Sequence, residues 1–399
     1  MSILAINGGK PIRDTKIYYG RQYIDESDLE AVRETLLSDY LTCGPRIAAL
    51  EKMLCDLTGA KYAVAIANGT AALHATCFAA GFGPGDEIIT TPITFAASAN
   101  CALYVGATPV FADIDPETYN ISLKSIEEKI TDKTKAVIAV DFTGQACRYD
   151  EIKEICKKHD LLLIDDAAHS IGTRYKGQSI GTLSDMTTLS FHPVKTVTGG
   201  EGGAILTDNK KLYDRLMLFR THGITRNPNQ MNNTPEGGWY YEQIELGYNY
   251  RLTDFQAALI MSQLDKLPMF AKRRKEIVNR YNEAFSTFPE LFVQKNIPES
   301  DTVNHLYIVQ LKPDKIKGTR REVFDALYAE NICCNVHYIP VYTLPYYQKL
   351  GYPKGLCPNA EHLYENMLSI PLYYGMTDAD VESVIAGIRK VLDYYNQSL

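Results

Sequence analysis

The sequence lacks several features that would place it in common protein classes. No apolar run approaches the roughly 20 residues of a membrane span. Basic residues are not in excess: the net charge of -7 gives no electrostatic case for binding nucleic acid or an anionic membrane. The first ten residues have no basic segment followed by a long apolar core, so no signal peptide is expected. The nine cysteines form no C-x-x-C pair, and a reduced cytoplasmic location is the simplest expectation.

Two nucleotide-binding loops are also missing. There is no G-x-x-x-x-G-K-[ST] motif, and no G-x-G-x-x-G follows the first predicted strand. These absences count against a P-loop NTPase and against a dinucleotide-binding fold.

Short apolar runs alternate with helical patterns over the first half of the chain. The alternation predicts an α/β fold with a mostly parallel sheet that is covered on both faces, and ligands bind at the carboxyl ends of such strands. The predicted strands are 62–67, 87–91, 109–112, 136–141, 161–165, 187–191 and 204–207.

The pattern changes after two long predicted helices, 253–267 and 273–288. From about residue 300 it becomes α+β, with predicted strands at 305–311 and 333–337. We therefore expect a large domain, 1–255, that includes an N-terminal arm, and a smaller C-terminal α+β domain, 256–399.

Lys195 lies between the apolar run 186–191 and the glycine cluster 199–203. A lysine on a tight connection between buried strands is rarely structural, because a buried ammonium must be paired or neutralised. Desolvation or Schiff-base formation is the usual chemical reason for such a placement.

Other residue patterns fit a ligand site at the same edge of the sheet. Asn68-Gly69-Thr70 joins a strand to a helix, and free N–H groups there could bind a phosphate, although a simple helix cap explains the pattern equally well. Asp165 and Asp166 end an apolar strand, and because adjacent side chains point opposite ways, one could be solvated and the other functional. A metal site of Asp165, Asp166 and His169 would lack a further ligand at a convincing spacing. Phe95, taken alone, is predicted to be a core residue.

Together these residues match the needs of pyridoxal phosphate. Its aldehyde bonds a lysine, its pyridine nitrogen needs a carboxylate, and its phosphate needs a helix N-terminus. Lys195, Asp166 and Gly69-Thr70 supply these groups, and a flat aromatic such as Phe95 could stack on the ring.

The sequence resembles the DegT/DnrJ/EryC1/StrS family of nucleotide-sugar aminotransferases over nearly its whole length. The resemblance implies the fold type I, or aspartate aminotransferase-like, architecture. It rests on these motifs: Leu41-Thr42-x-Gly44-Pro45, Asn68-Gly69-Thr70-Ala71-Ala72-Leu73, Thr91-Pro92-x-Thr94-Phe95, Asp165-Asp166-Ala167-Ala168-His169, Ser190-Phe191-His192-x-x-Lys195, Gly200-Glu201-Gly202-Gly203 and Gly247-Tyr248-Asn249-Tyr250-Arg251. Three further segments look most like the branch that acts in pseudaminic acid synthesis: Tyr19-Gly20-Arg21-Gln22, Trp239-Tyr240-Tyr241-Glu242 and Val336-His337-Tyr338-Ile339-Pro340.

By this resemblance, Lys195 would bond the cofactor and shuttle a proton, Asp166 would pair with the pyridine nitrogen, and His169 would sit by the 3-hydroxyl. Phe95 would stack on the ring. The phosphate would be held by Gly69, Thr70, Ser190 and, from the neighbouring subunit of a homodimer, Asn249. Arg251 is a second cross-subunit candidate. The sugar-nucleotide site would be lined by Asp39, Tyr40, Leu41, Thr42, His337, Tyr338, Ile339 and Pro340.

The resemblance further implies an amino donor, L-glutamate, and an acceptor, a UDP-linked 4-keto-6-deoxy-N-acetylhexosamine, in a ping-pong reaction. The alternatives are transfer to a UDP-bacillosamine or GDP-perosamine type of sugar, a dehydratase or lyase, and a sensor that has kept the cofactor fold. Related dehydratases replace the lysine by histidine, so Lys195 favours amino transfer.

Overall fold

The structure is a computed structural model that describes residues 3–396. Its centre is a seven-stranded sheet in the order β1-β7-β6-β5-β4-β2-β3. Only β7 runs antiparallel to its neighbours, so the predicted mostly parallel sheet is confirmed. The strands are β1 Tyr62–Ile66, β2 Glu87–Thr90, β3 Thr108–Phe111, β4 Thr134–Val140, β5 Leu162–Asp166, β6 Met186–Ser190 and β7 Gly203–Thr207.

Thirteen α-helices surround this sheet and the C-terminal part within the described residues. Several begin at polar caps that the sequence signals, such as Asn68 before α3 and Thr253 before α8. The helices are α1 Glu26–Leu36, α2 Pro45–Thr58, α3 Gly69–Ala80, α4 Ala97–Tyr104, α5 Leu123–Lys129, α6 Tyr149–His159, α7 Lys210–Arg220, α8 Asp254–Asp265, α9 Leu267–Phe285, α10 Arg320–Ala329, α11 Pro345–Lys349, α12 Pro358–Asn366 and α13 Asp378–Asn396. None of the helices within 3–396 is long and apolar enough to cross a membrane.

A second, antiparallel sheet lies in the C-terminal part. Its strands are β8 Leu291–Val293, β9 Tyr307–Leu311 and β10 Met367–Ile370, in that order. Short two-residue strands complete the structure at Ile17–Tyr18, Arg174–Tyr175, Gln178–Ser179, Ile224–Thr225, Glu242–Gln243, Ser300–Asp301 and Ile332–Cys333.

The predicted strand 333–337 is wrong over most of its length. Only Ile332–Cys333 forms a strand, paired in parallel with Ile17–Tyr18 of the N-terminal arm. Asn335 makes a single bridge to Ser369, and the chain then leaves the sheet. The polar residues of 335–338 are thereby released into a loop, where they contribute to a cavity described below.

The packing of α8 and α9 shows where the apolar core changes relative to the predicted domain boundary at residue 255. Asp254 accepts hydrogen bonds from the N–H groups of Gly44 (2.8 Å) and Arg46 (2.9 Å) at the start of α2. Ile260 and Leu264 of α8 belong to the apolar core of the seven-stranded sheet, whereas Ile277 of α9 belongs to the core of β8–β10. The core therefore changes at the junction of α8 and α9, beyond residue 255, while the division into two domains remains a prediction.

Glu330 ties the N-terminal arm to the C-terminal core. Its buried carboxylate accepts hydrogen bonds from the N–H groups of Ala5 (2.9 Å) and Ile12 (2.8 Å) and pairs with Lys390 (2.7 Å). We expect Glu330→Gln to lower the free energy of unfolding by about 3 kcal/mol, because it leaves the buried Lys390 ammonium uncompensated. Urea unfolding measures the change. Asp325→Asn, in the exposed pair with Arg321, is the control and should change stability by less than about 1 kcal/mol.

Candidate active site

A cavity of about 800 Å³ opens at the carboxyl ends of β5 and β6. The starts of α3 and α4, the connection after β6 and the loop 335–338 complete its wall, as expected for a ligand crevice of an open α/β sheet. Residues with polar side chains that line it are Tyr19, Asn68, Thr70, Thr94, Ser98, Asp166, His169, Thr188, Ser190, His192, Lys195, Glu201, Tyr250, His305, Asn335, His337 and Tyr338.

Asp166, the last residue of β5, has a fixed orientation. The Ser98 hydroxyl donates to Oδ2 (2.6 Å), and the Ala168 N–H donates to Oδ1 (3.2 Å). Burial raises the pKa of Asp166, while the Ser98 hydrogen bond and the charge of Lys195 oppose that rise. No cation among residues 3–396 lies within ion-pair distance of Asp166, so this carboxylate can still receive a cationic partner.

The expectation that one of the two strand-end aspartates is solvated is wrong. Asp165 is fully buried and Asp166 is 6% exposed. Helix α6 covers the far face of the sheet, so the side chain that points away from the cavity enters the core instead of solvent.

Lys195 lies on the connection between β6 and β7. Its N–H donates to the His192 carbonyl (2.9 Å), which closes a turn, and its side chain lines the cavity. Burial lowers the pKa of Lys195 to about 8, and the charge of Asp166 opposes this shift. A lysine with such a pKa is neutral in a substantial fraction near neutral pH and can act as a nucleophile or base.

The first turn of α3 forms the opposite end of the cavity. Asn68 Oδ1 accepts from the Ala71 N–H (2.8 Å), while the described hydrogen bonds leave the N–H groups of Gly69 and Thr70 unused. A Cβ on Gly69 would lie 2.9 Å from Cβ of Ser190, so glycine permits the helix start to approach the end of β6. Free N–H groups at a helix N-terminus beside a hydroxyl are suited to bind a phosphate.

An uncharged polar wall faces Lys195. The Tyr338 hydroxyl and His169 Nε2 are 3.2 Å apart, and the His169 and His305 ring centroids are 4.4 Å apart. Burial, together with the charge of Lys195, lowers the pKa of His169, His305 and His337, that of His337 to about 4. These three imidazoles are therefore neutral at pH 7.

Two groups of this site were missed in the sequence. Ser98 follows Thr94 by one helical turn, and a hydroxyl among the small residues of α4 is the only local signal for it. His305 precedes β9 in a part of the chain without a recognisable motif. The sequence does not show what Ser98 and His305 contact, because their contacts in the site are with distant segments of the chain.

The structure brings together most, but not all, of the residues predicted for the site. Phe95 is 62% exposed and lines the cavity, so its prediction as a core residue is wrong. The cavity is lined by Gly69, Thr70, Phe95, Asp166, His169, Ser190, Lys195, His337 and Tyr338. It is not lined, within one chain, by Asp39, Tyr40, Leu41, Thr42, Asn249, Ile339 or Pro340.

The model of the DegT/DnrJ/EryC1/StrS aminotransferase family matches residues 22–389. The chain belongs to this family. It is a sugar aminotransferase that depends on pyridoxal phosphate, and its fold is the type I fold of these enzymes.

Similar proteins and structures cover nearly the whole chain. The spore coat polysaccharide biosynthesis protein SpsC of Bacillus subtilis is 41% identical, over 94% of this chain and 96% of its own. PseC of Helicobacter pylori, an aminotransferase involved in the biosynthesis of pseudoaminic acid, is 30% identical with a TM-score of 0.89, over 96% and 100%. The sugar aminotransferase Spr1654 of Streptococcus pneumoniae, in its PLP form, is also 30% identical with a TM-score of 0.89, over 95% and 99%.

The residues of the cavity fit pyridoxal phosphate. A buried carboxylate without a cationic partner, a lysine of lowered pKa and a glycine-dependent helix start surround one space. Among residues 3–396 there is no group of three or more histidines, cysteines or acidic residues that could hold a metal ion.

Ser98 can be tested as the residue that orients Asp166. We expect Ser98→Ala to weaken cofactor binding by about tenfold, because one hydrogen bond to a charged group is lost. Titration of the apoprotein with pyridoxal phosphate, followed by absorbance, measures this. Thr94→Val is the matched control: the Thr94 hydroxyl contacts Ser98 (2.7 Å) but not Asp166, so its effect should be smaller. Equal effects of both changes would contradict the assignment.

Proposed function

We propose that the protein is a UDP-4-amino-4,6-dideoxy-N-acetyl-β-L-altrosamine transaminase. It moves an amino group from L-glutamate to C4 of a UDP-linked 4-keto-6-deoxy-N-acetylhexosamine, in two half-reactions at one site. The observation that carries the proposal is the uncharged wall of His305, His337 and Tyr338 opposite Lys195. Such a wall offers hydrogen-bond partners to the hydroxyl groups of a sugar ring. The likeness to PseC supports this choice of sugar.

Seven residues of the cavity have a role in this proposal. Bound pyridoxal phosphate supplies the electron sink for loss of a proton from the amino donor. Asp166 keeps the pyridine nitrogen protonated by its negative charge. Lys195 Nζ bonds the cofactor and, once released, carries the proton at the reacting carbon. Phe95 would pack on the ring, His169 would lie beside the 3-hydroxyl, and Gly69, Thr70 and Ser190 would hold the phosphate.

A homodimer is part of the proposal. The predicted site residues that do not line the cavity include Asp39–Thr42 and Asn249, which lie on the surface. Large exposed apolar side chains precede these residues in the sequence: Leu37 (82%), Trp239 (73%) and Leu246 (72%). A second copy that covers these segments would bury the apolar surface and add Asn249 to the neighbouring phosphate site. Light scattering measures the mass. A monomer with full activity would contradict this part.

The acceptor can be identified with a panel of UDP-4-keto sugars. We expect the protein with glutamate alone to convert its cofactor to the pyridoxamine form, and then to aminate the L-altro-configured ketosugar faster than its D-gluco counterpart. If glutamate converts the cofactor but the D-sugar is aminated faster, the L-altrosamine assignment is excluded and the assignment as an aminotransferase still holds. No conversion with any amino donor would overturn amino transfer itself.

A second candidate is transfer to another nucleotide-linked 4-keto sugar, of the UDP-bacillosamine or GDP-perosamine type. The 41% identity to SpsC, which exceeds the 30% identity to PseC, favours keeping it. Preference for the D-configured sugar in the same panel would support this candidate.

A further inference from the structure

Two buried carboxyl groups lie directly beneath the cavity floor. Asp141 follows β4, and Asp165 precedes Asp166 in β5. Both Asp141 and Asp165 have no solvent exposure. The Asp141 N–H donates to the Asp166 carbonyl (3.2 Å), so the two strand ends are joined at this level. Neither Asp141 nor Asp165 has a role in the proposed reaction.

Asp141 is fully occupied as a hydrogen-bond acceptor. Its Oδ1 accepts from the Tyr149 hydroxyl (2.9 Å) and the Cys147 N–H (2.8 Å), and its Oδ2 accepts from the Ser170 hydroxyl (2.7 Å). Burial raises the pKa of Asp141 to about 6 against these three donors, so its carboxyl is mostly ionised at pH 7. Because Ser170 directly follows His169, Asp141 ties the cofactor-site segment 166–170 to the start of α6.

Asp165 is in the opposite situation. Neither of its carboxyl oxygens has a hydrogen-bond partner within residues 3–396. The groups that interact with it from the surrounding elements are Asp141 after β4, Asp166 in β5, Tyr149 in α6 and Thr187 in β6. No cation is among them, so a charged Asp165 would be an unpaired buried anion between two other acids. Burial and the charges of Asp141 and Asp166 accordingly raise the pKa of Asp165 well above its ordinary value.

We propose that Asp141 and Asp165 form a buried carboxyl pair that holds one proton at neutral pH, and that Asp141, its charged member, positions the cofactor-site segment. Asp165 carries the proton and is neutral, while Asp141 is charged and anchors Ser170. A neutral Asp165 adds no negative charge behind Asp166, so Asp166 alone presents charge to the pyridine ring. Asp141 is a positioning residue and Asp165 is the carrier of the proton, and the proposal does not depend on which sugar is aminated.

The dependence of stability on pH tests the proton on Asp165. A carboxyl whose folded-state pKa is raised contributes stability that is complete below its unfolded pKa and is lost as pH rises toward the folded value. For one such group the unfolding constant increases by about tenfold per pH unit in that window. Asparagine has no carboxyl proton to lose. From pH 5 to 7 the unfolding constant of Asp165→Asn should therefore fall, relative to that of the wild type, by about tenfold per pH unit. Asp132→Asn, at an exposed site, is the control and should run parallel to the wild type. An Asp165→Asn profile parallel to the wild type would overturn the proposal.

Infrared spectroscopy observes the proton directly. At pH 7 we expect the carbonyl stretching band of a protonated carboxylic acid in the wild type and in Asp132→Asn, and its loss in Asp165→Asn. A wild-type protein without this band would contradict a neutral Asp165. Both measurements use protein without substrate, so they can succeed even if the proposed sugar amination fails.

Cofactor affinity tests the positioning role. We expect Asp141→Asn to weaken pyridoxal phosphate binding by roughly tenfold or more. The amide NH₂ of asparagine is a hydrogen-bond donor, and it would point at a group that also donates. Ser170→Ala, a milder change, should weaken binding in the same direction, because Asp141 Oδ2 loses its hydrogen bond to the segment 166–170. Asp165→Asn should retain cofactor affinity and turnover. Unchanged affinity in Ser170→Ala would refute the positioning role of Asp141, and loss of affinity in Asp165→Asn would contradict a neutral Asp165.

Discussion

Replacing Lys195 by alanine is expected to abolish turnover, with a fall in kcat of roughly 10⁴-fold or more. The side chain has two tasks in the proposed reaction: it bonds the cofactor, and its amino group then moves the proton at the reacting carbon. Burial lowers the pKa of Lys195 to about 8, which suits both tasks near neutral pH. Stopped-flow absorbance with glutamate and steady-state assays with the sugar acceptor measure the loss.

The fold should survive this change, because the side chain ends in the cavity and forms no described ion pair within residues 3–396. Circular dichroism and the unfolding midpoint check this. Lys317→Ala, at an exposed position, is the matched control and should keep full activity. Activity in Lys195→Ala equal to that of Lys317→Ala would remove Lys195 from the reaction.

Asp166→Asn should lower kcat by roughly 10²- to 10³-fold while leaving a folded protein that still binds the cofactor. In the proposed reaction the carboxylate holds the proton on the pyridine nitrogen, and loss of an adjacent opposite charge shifts a pKa by about 1–3 units. The ring would then withdraw electrons less strongly during proton loss from the donor. A pH titration of the cofactor absorbance and the rate of the glutamate half-reaction measure the two effects.

Asp165→Asn is the control for this experiment because it makes the same chemical change one residue away. Asp165 lies on the opposite side of β5 and is expected to be neutral already, so this variant should keep the wild-type half-reaction rate. Two variants with the same loss would show that the effect arises from the strand end as a whole and would contradict a specific role for Asp166.

The sheet was predictable because its strands are short, nearly continuous apolar runs that end in polar residues. Lys195 and Asp166 could be identified for the same reason: each follows or ends such a run, and strand ends meet at one edge. The sequence pattern alone does not distinguish Asp166 from Asp165, because it does not show that α6 covers the face of the sheet away from the cavity. Only the requirements of the cofactor favoured Asp166.

The remaining features depend on contacts between distant parts of the chain. The role of Ser98 is visible only in the folded structure, where α4 places its hydroxyl 2.6 Å from Oδ2 of Asp166. His305 comes from the C-terminal part, where no local pattern points to the cavity, and His337 and Tyr338 were expected there only through the resemblance. Asp39–Thr42 and Asn249 are surface residues of one chain, and their proposed roles require a second copy.

The position of β7 in the sheet has a consequence for the order of folding. β7 is the last of the seven strands in the sequence, yet it lies between β1 and β6 and pairs with both. Gly69 follows β1 and Ser190 ends β6, so the strand that pairs with both β1 and β6 sets their relative position. Contacts between residues far apart in the sequence form slowly, because a large loop must close first. The end of the cavity proposed to bind the phosphate should therefore form late in folding. Tight binding of the cofactor would then indicate that the central sheet is complete.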